Sequence, residues 1–231
     1  MKREQTYSLM RWGYGHLTHL KLFNEEILPK EGSFILATNH MSRIDFPALI
    51  GLQRCEDVVP IAGDSYRTFP ILGKIIDSVN PIWIDRTQAD FSALRAALSV
   101  LKEGKILVLA PEGTRSRNAQ LLHAKSGIVL IAAKSRIPVY TMSVTGTEYF
   151  MNDFKHFRKP KINIYFGPAC DIPEIDRENR EASLEKATDE IMCRIAALLP
   201  ESYRGYYRDY PRVAELIAQY KQEGALAMPE A

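Results

Sequence analysis

The chain has 231 residues, enough for one domain that buries a large core without help from disulfides or metals. Apolar residues make up 46% and charged residues 25%, a composition that excludes disordered, collagen-like and coiled-coil proteins. A net charge of +2 gives no electrostatic reason to expect a nucleic-acid partner. Three widely spaced cysteines fit neither a disulfide framework nor a zinc ribbon, which favours a reducing compartment. No apolar run is long enough for a membrane span, and no signal peptide is expected.

The N-terminal stretch carries Tyr7, Met10, Tyr14 and Leu17 at intervals of three or four residues. That spacing predicts an amphipathic helix, which either lies in a membrane interface or docks on the domain. Farther along, short apolar runs alternate with helical patterns, which predicts an α/β fold: a mixed, partly parallel sheet flanked by helices. The predicted strands are 34–38, 58–62, 79–84, 106–110, 139–144 and 162–166, and the predicted helices cover 91–101, 128–134 and 184–198.

The first predicted strand runs directly into a loop that contains His40 and, five positions later, Asp45. Within one helix this offset would place the side chains about 140° apart, so they meet only if His40 lies in a loop before the helix. Asp45 is a good N-cap for such a helix, and the segment from Ser42 to Asp45 resembles a capping box. Two interpretations follow: a carboxylate that orients a histidine base, or a loop histidine beside a helix cap.

Charged segments follow two other predicted strands. Strand 106–110 runs into a glycine-bearing loop with two arginines, a suitable cradle for an anion, and strand 79–84 ends in Asp85-Arg86. Lys125 lies just before the apolar helix, where an anion is favoured at the helix N-terminus. Ligands of open α/β sheets bind outside the carboxyl ends of the strands. The alternative is a set of solvated loops and surface ion pairs.

Four blocks lie at or beside predicted strand ends. In chain order they are Asn39-His40-x4-Asp45, Trp83-Ile84-Asp85-Arg86, Pro111-Glu112-Gly113-Thr114-Arg115-Ser116 and Ile137-Pro138-Val139. Together they resemble the motifs of the glycerolipid acyltransferases of the lysophosphatidic acid acyltransferase type. The resemblance covers roughly 32–144 and implies one acyltransferase domain over 1–231. Its parts would be an N-terminal segment that could contact a membrane (1–30), a catalytic core (31–200) and a C-terminal tail (201–231).

The resemblance implies transfer of an acyl group from a thioester to the free hydroxyl of a lysophospholipid. The first candidate is 1-acylglycerol 3-phosphate, which would give phosphatidic acid. An alcohol is a poor nucleophile at neutral pH, so a base must take its proton, and His40 oriented by Asp45 is the candidate. By the same resemblance the acceptor phosphate is expected at Arg86 and Arg115, with Lys125 as a third cation. The other expected substrate-binding residues are Gly113, Thr114 and Glu112, the last binding an acceptor hydroxyl or orienting Arg115.

The implied partners are the lysophospholipid, the acyl thioester of coenzyme A or acyl carrier protein, and a membrane surface. The protein would lie peripherally on the cytoplasmic face, with no metal, no resident cofactor and no nucleic acid. The segment 202–212, rich in tyrosine and arginine, would either contact headgroups or cover an edge of the sheet.

Three alternatives to this function stay open. They are the same chemistry on another lysolipid or glycerol phosphate, a catalytically silent lipid-binding module, and a hydrolase that uses His40 and Ser116.

Overall fold

The computed structural model describes residues 3–85, 91–172, 175, 176, 178–222 and 226–229 of the chain. Among these residues, no helix combines the length and the apolar character needed to cross a membrane. The strands are β1 (His19–Phe23), β2 (Phe34–Thr38), β3 (Val58–Gly63), β4 (Ile82–Ile84), β5 (Ile106–Leu109), β6 (Val139–Thr145) and β7 (Lys161–Cys170). The helices are α1 (Arg3–Leu17), α2 (Pro70–Asp77), α3 (Phe91–Lys102), α4 (Gly127–Ser135), α5 (Phe150–Lys155), α6 (Arg180–Ala197) and α7 (Pro211–Gln222).

The seven strands form one mixed sheet in the order β1-β7-β6-β2-β5-β3-β4. β6, β2, β5, β3 and β4 run parallel to one another, whereas β7 is antiparallel to β6 and pairs in parallel with β1. This arrangement confirms the predicted mixed, partly parallel sheet, and α1 confirms the predicted N-terminal helix. Because β2, β5 and β6 are parallel neighbours, the loops that follow them meet at one edge of the sheet.

Two hydrophobic cores lie on opposite faces of the sheet, and the central strands contribute to both. Phe34 and Leu36 of β2 pack into the core beneath α1, whereas Ile35 and Ala37 pack into the core of α3, α4 and α6. All five residues of β2 are buried. Burial on both faces explains why this strand is a continuous apolar run rather than an alternating one.

Two predicted strands have different bounds in the structure. β4 begins at Ile82 rather than at 79, because α2 extends to Asp77 and Val79 closes a turn by donating its N–H to a carbonyl of that helix. β7 continues beyond 166 to Cys170, although the chain passes through Pro168. An extra residue in β7 shifts its register against β6 at this point, and a proline is tolerated at such a bulge.

The sequence analysis missed β1. This strand has five residues, two of them basic, and among the described strands it pairs with β7 alone. A short, half-exposed edge strand lacks the apolar run that marked the central strands. The helices α2, α5 and α7 also lie where the sequence predicted none.

The helix α1 docks on the domain. Tyr7 is buried, Met10 lines the interior beside it, and the Tyr14 hydroxyl donates to the carbonyl of Ile44 at 2.7 Å. Leu17, the last residue of the predicted stripe, is exposed. Of the two interpretations of the stripe, docking therefore describes its first three residues.

The segment 202–212 packs against the loop that precedes α4. Tyr207 is fully buried, and the Tyr203 hydroxyl donates to the carboxylate of Glu148. The backbone of the segment pairs in both directions with Leu121. The partners of the segment are therefore the loop after β5 and the turn after β6, so packing on the domain describes Tyr203 and Tyr207 better than a contact with headgroups.

A buried asparagine joins the ends of β2 and β6, where the His40 loop begins. Asn39 accepts the backbone N–H of Val144 at its Oδ1 and donates to the carbonyl of the same residue, both at 2.8 Å. The side chain thus continues the ladder beyond the last backbone pair.

We expect Asn39→Ala to lower the free energy of unfolding by about 2–4 kcal/mol, because two buried backbone groups lose their partners. Urea unfolding of the variant and of the wild type measures this loss. Asn152→Ala, in which an exposed asparagine of α5 is truncated, is the control and should change stability little. Equal stabilities of the two variants would contradict the role of Asn39.

Candidate active site

His40 lies in the loop after β2, and its Nδ1 is 2.9 Å from Oδ2 of Asp45. Both side chains are buried. The contact that a histidine base requires is therefore present. The N-cap prediction for Asp45 is wrong: the following 3-10 helix, Pro47–Gly51, has Phe46 at its N-cap and no side-chain cap. Donors within the loop draw the carboxylate back towards His40 instead.

The carboxylate of Asp45 accepts hydrogen bonds from four groups. Its Oδ2 takes the imidazole Nδ1 and the backbone N–H groups of Met41 and Ser42, at 2.7 and 2.8 Å, and its Oδ1 takes the Thr147 hydroxyl. A carboxylate can only accept, so the nitrogen facing it carries the proton. The free lone pair of His40 is then on Nε2, which is the arrangement of a general base.

Thr147 is a site residue that the sequence analysis missed. It is buried just beyond β6, and 102 positions separate it from Asp45. No local pattern marks it, and only the pairing of β6 with β2 brings the two residues together. The one signal in the sequence was its place after a predicted strand.

The loop after β5 holds the backbone of His40 on both sides. Glu112 accepts the N–H of His40 at Oε1 (3.0 Å) and that of Leu122 at Oε2 (2.9 Å). The backbone N–H of Ser116 donates to the carbonyl of His40 at 2.8 Å. The Glu112 carboxylate therefore holds two loops together, and the expected orienting contact with Arg115 gives way to these backbone partners.

Two cavities meet at His40, which lines both together with Phe46 and Ile61. The first has a volume of about 120 Å³ and lies between α1, the 3-10 helix and β3. The second has a volume of about 400 Å³ and lies beyond β4 and β5, over the N-terminus of α4. The first is lined by apolar side chains that include Tyr7, Met10, Leu49, Ile50 and Val58, and the second is partly polar, with Asp85, Thr114, Lys125 and Ser126.

The structure brings three of the predicted substrate-binding residues to the second cavity: Gly113, Thr114 and Lys125. Gly113 has a φ of +67°, and the Lys125 side chain lies against it. Arg115 is half-buried, and it is not among the described residues that line either cavity. Arg86 lies outside the described residues. In the described part of the chain no three metal-binding side chains converge.

The position of Glu112 makes stability depend on pH. Burial raises the pKa of this carboxyl from its ordinary 4.5 to about 7, against the two backbone donors, which lower it. The folded chain then binds a proton more tightly than the unfolded chain, so stability falls as the pH rises from about 4.5 to about 7.

We expect the wild type to lose about 3 kcal/mol of stability relative to Glu112→Gln over that pH interval, at 1.4 kcal/mol per pKa unit. Urea unfolding of both proteins at a series of pH values measures the difference. Parallel pH profiles would mean that the buried carboxyl titrates at its ordinary pH.

Several known proteins are similar to this chain. It is 33% identical over 142 residues to a 1-acyl-sn-glycerol-3-phosphate acyltransferase of Limnanthes douglasii, covering 60% of this chain and 49% of the relative. The corresponding protein of Cocos nucifera is 30% identical over 177 residues, covering 70% and 57%. The chain thus spans about half the length of these plant relatives. The crystal structure of the 1-acyl-sn-glycerophosphate acyltransferase of Thermotoga maritima matches with a TM-score of 0.62 at 26% identity, covering 82% of this chain and 76% of that one.

The sequence model of the Acyltransferase family matches residues 19–145. The match begins at the first residue of β1 and ends at the last residue of β6, so it contains His40, Asp45 and the loop after β5. All four blocks that carried the resemblance fall inside it. Because the match takes in more than half of the 231 residues, the chain belongs to the acyltransferase family.

Proposed function

We propose that this protein transfers a fatty acyl group from an acyl thioester to the free hydroxyl of 1-acylglycerol 3-phosphate and so forms phosphatidic acid. The observation that carries the proposal is the His40–Asp45 pair, buried where two cavities meet. The names of the similar proteins support this acceptor. Another lysolipid or glycerol phosphate would use the same chemistry.

In the proposed reaction Nε2 of His40 takes the proton of the acceptor hydroxyl while its oxygen attacks the thioester carbon. The tetrahedral intermediate expels the thiolate, which takes up that proton from the imidazolium. Asp45 stabilises the imidazolium through its bond to Nδ1. Coenzyme A or acyl carrier protein brings the acyl group as a co-substrate, and no resident cofactor takes part in these steps.

The two cavities suit different parts of the substrates. The first is almost wholly apolar and is the proposed place of an acyl chain, because burial of methylene groups drives its binding. The second offers the Lys125 ammonium, the Thr114 hydroxyl and the first N–H groups of α4, all of which favour a phosphate. His40 between them would reach a hydroxyl that connects chain and phosphate.

Two alternatives are weaker on structural grounds. A lipid-binding module would not need a histidine held by a buried carboxylate that itself accepts four hydrogen bonds. A hydrolase would need Ser116 as its nucleophile, but that hydroxyl donates to Asn118 and accepts the N–H of Gln120 within its own loop. It acts there as a turn element.

We further propose that the protein works as a peripheral protein on the cytoplasmic face of a membrane. The proposed acceptor has one acyl chain and partitions into a bilayer, whereas coenzyme A and acyl carrier protein are water-soluble donors. An enzyme that joins them works at the boundary between the two phases.

An acceptor panel tests the reaction. The protein is given one labelled long-chain acyl-CoA with lysophosphatidate, other lysolipids or glycerol phosphate, and the products are separated by lipid chromatography. Acylated lysophosphatidate is expected, and His40→Ala should lower its rate at least about 100-fold. Preference for another acceptor would replace lysophosphatidate in the proposal, and release of free fatty acid without an acceptor would favour the hydrolase.

Thr147 should act on the reaction through Asp45. We expect Thr147→Val to lower kcat about tenfold with little change in KM, because Oδ1 loses its donor while both cavities keep their linings. Thr147→Ser keeps the hydroxyl and should restore most of the rate. Thr145→Val, two residues earlier at the last position of β6, is the matched control. A change confined to KM would contradict this positioning role.

Lys125 should act on acceptor binding. We expect Lys125→Ala to raise KM for a phosphate-bearing acceptor about tenfold and to leave KM for the thioester nearly unchanged, because one charged contact is lost. Lys134→Ala, at the other end of α4, is the matched control. Arg115→Ala, measured beside them, tests the role that the family resemblance implies. Equal effects of Lys125→Ala on both substrates would place the lysine at the donor or in a structural role.

A further inference from the structure

An aromatic-basic surface, residues 149–161, projects from the sheet edge next to the site. It begins two residues after Thr147 and comprises α5 and the turn before β7. Its large apolar side chains are exposed: Tyr149, Met151, Phe154 and Phe157. Its charged residues are Lys155, Arg158, Lys159 and Lys161 against the single carboxylate Asp153, which pairs with Arg158. Soluble proteins rarely expose such a combination without a binding partner.

Phe157 stands in a conformation that disfavours it. At the end of α5 the N–H of Phe157 donates to the carbonyl of Phe154 (3.1 Å), and that of Arg158 to the carbonyl of Asp153 (2.9 Å). These two bonds define the turn in which the residue after the helix cap is left-handed and usually glycine. Phe157 occupies that position with a φ of +54°, and its side chain is 101% exposed.

Backbone strain and a fully exposed ring are both unfavourable, and packing within the described part of the chain compensates for neither. The two backbone hydrogen bonds of the turn hold the left-handed conformation, whereas no contact with the described residues accounts for the exposed ring. The Phe157 ring is exposed to solvent on every side. A fluid apolar layer would surround it, whereas a rigid partner would need a matching pocket.

We propose that the aromatic-basic surface docks the protein on an anionic bilayer. Phe154, Phe157 and Met151 would enter the boundary of the acyl chains, and the lysines would meet the headgroups. Lys155, Lys159 and Lys161 form no ion pair with any described residue, so their charge is available. An acidic protein partner would use the lysines, but it would leave the strained, projecting Phe157 without a role.

This docking deepens the proposed function, on which it rests for the delivery of a lipid acceptor. The surface follows β6, and β6 pairs with β2, whose loop carries His40. A bilayer at this surface would therefore lie beside the edge of the sheet where the cavities meet. Each of the two segments expected to contact the membrane buries one aromatic side chain, Tyr7 or Tyr207, and exposes another, Trp12 or Tyr206.

Co-sedimentation with vesicles tests the proposal. Wild type should bind vesicles of phosphatidylcholine and phosphatidylglycerol in equal parts more tightly than pure phosphatidylcholine, and less tightly at high salt. Phe157→Gly should lower the partition coefficient about tenfold. Its Tm should hold or rise, because glycine relieves the left-handed backbone. Lys155→Gln with Lys159→Gln should remove much of the salt dependence.

Trp12→Ala is the matched control, an exposed aromatic side chain on α1, and should leave vesicle binding unchanged. Unchanged binding of Phe157→Gly would overturn the proposal, as would a loss confined to Trp12→Ala, which would place the contact on α1. A Phe157→Gly variant that binds vesicles normally but no longer binds an acidic acyl carrier protein would also overturn the proposal.

The binding assay contains no substrate, so its result stands whether or not the protein transfers acyl groups. Acyl transfer to detergent-dispersed acceptor is measured separately and should be unaffected by Phe157→Gly. Absence of transfer with intact vesicle binding would refute the proposed function alone.

Discussion

The carboxylate of Asp45 is the group on which the geometry of the site depends. A buried carboxylate is stable only when hydrogen bonds replace its lost water, and here the donors come from three places: the His40 ring, its own loop, and the end of β6. Each hydrogen bond satisfies the carboxylate and at the same time holds its donor in place. The conformation of the loop, the orientation of the imidazole and the pairing of β2 with β6 therefore depend on one another.

The parts of this arrangement that the sequence predicted are local. The apolar run of β2 leading into His40 and Asp45 lies within a dozen residues, so strand, loop and pair could be read together. The contacts of Thr147 and Glu112 depend on which strands lie beside β2, and no local pattern in one chain encodes strand order. Asp45 failed as an N-cap for a different, local reason: the backbone N–H groups of Met41 and Ser42 in its own loop compete with the helix for the carboxylate.

The carboxyl edge of the parallel strands brings together features that are far apart in the sequence. It carries the His40 loop, the loop after β5 and the aromatic-basic surface, while the N-terminus of α4 faces the second cavity. The two proposals place membrane contact, lipid binding and acyl transfer at one edge of one sheet. Two departures from ordinary local preference, the buried carboxylate of Asp45 and the left-handed Phe157, also lie along this edge.

The attachment of His40 through both its backbone and its ring has a consequence for the entropy of the site. Its N–H is held by Glu112, its carbonyl by Ser116 and its ring by Asp45, so backbone and side chain are both fixed before any ligand arrives. Such a residue has little conformational freedom left to lose on binding. The free energy gained from contacts with a ligand is then not used to order His40, so it is available to bring the reacting atoms together. In this sense the candidate base is preorganised.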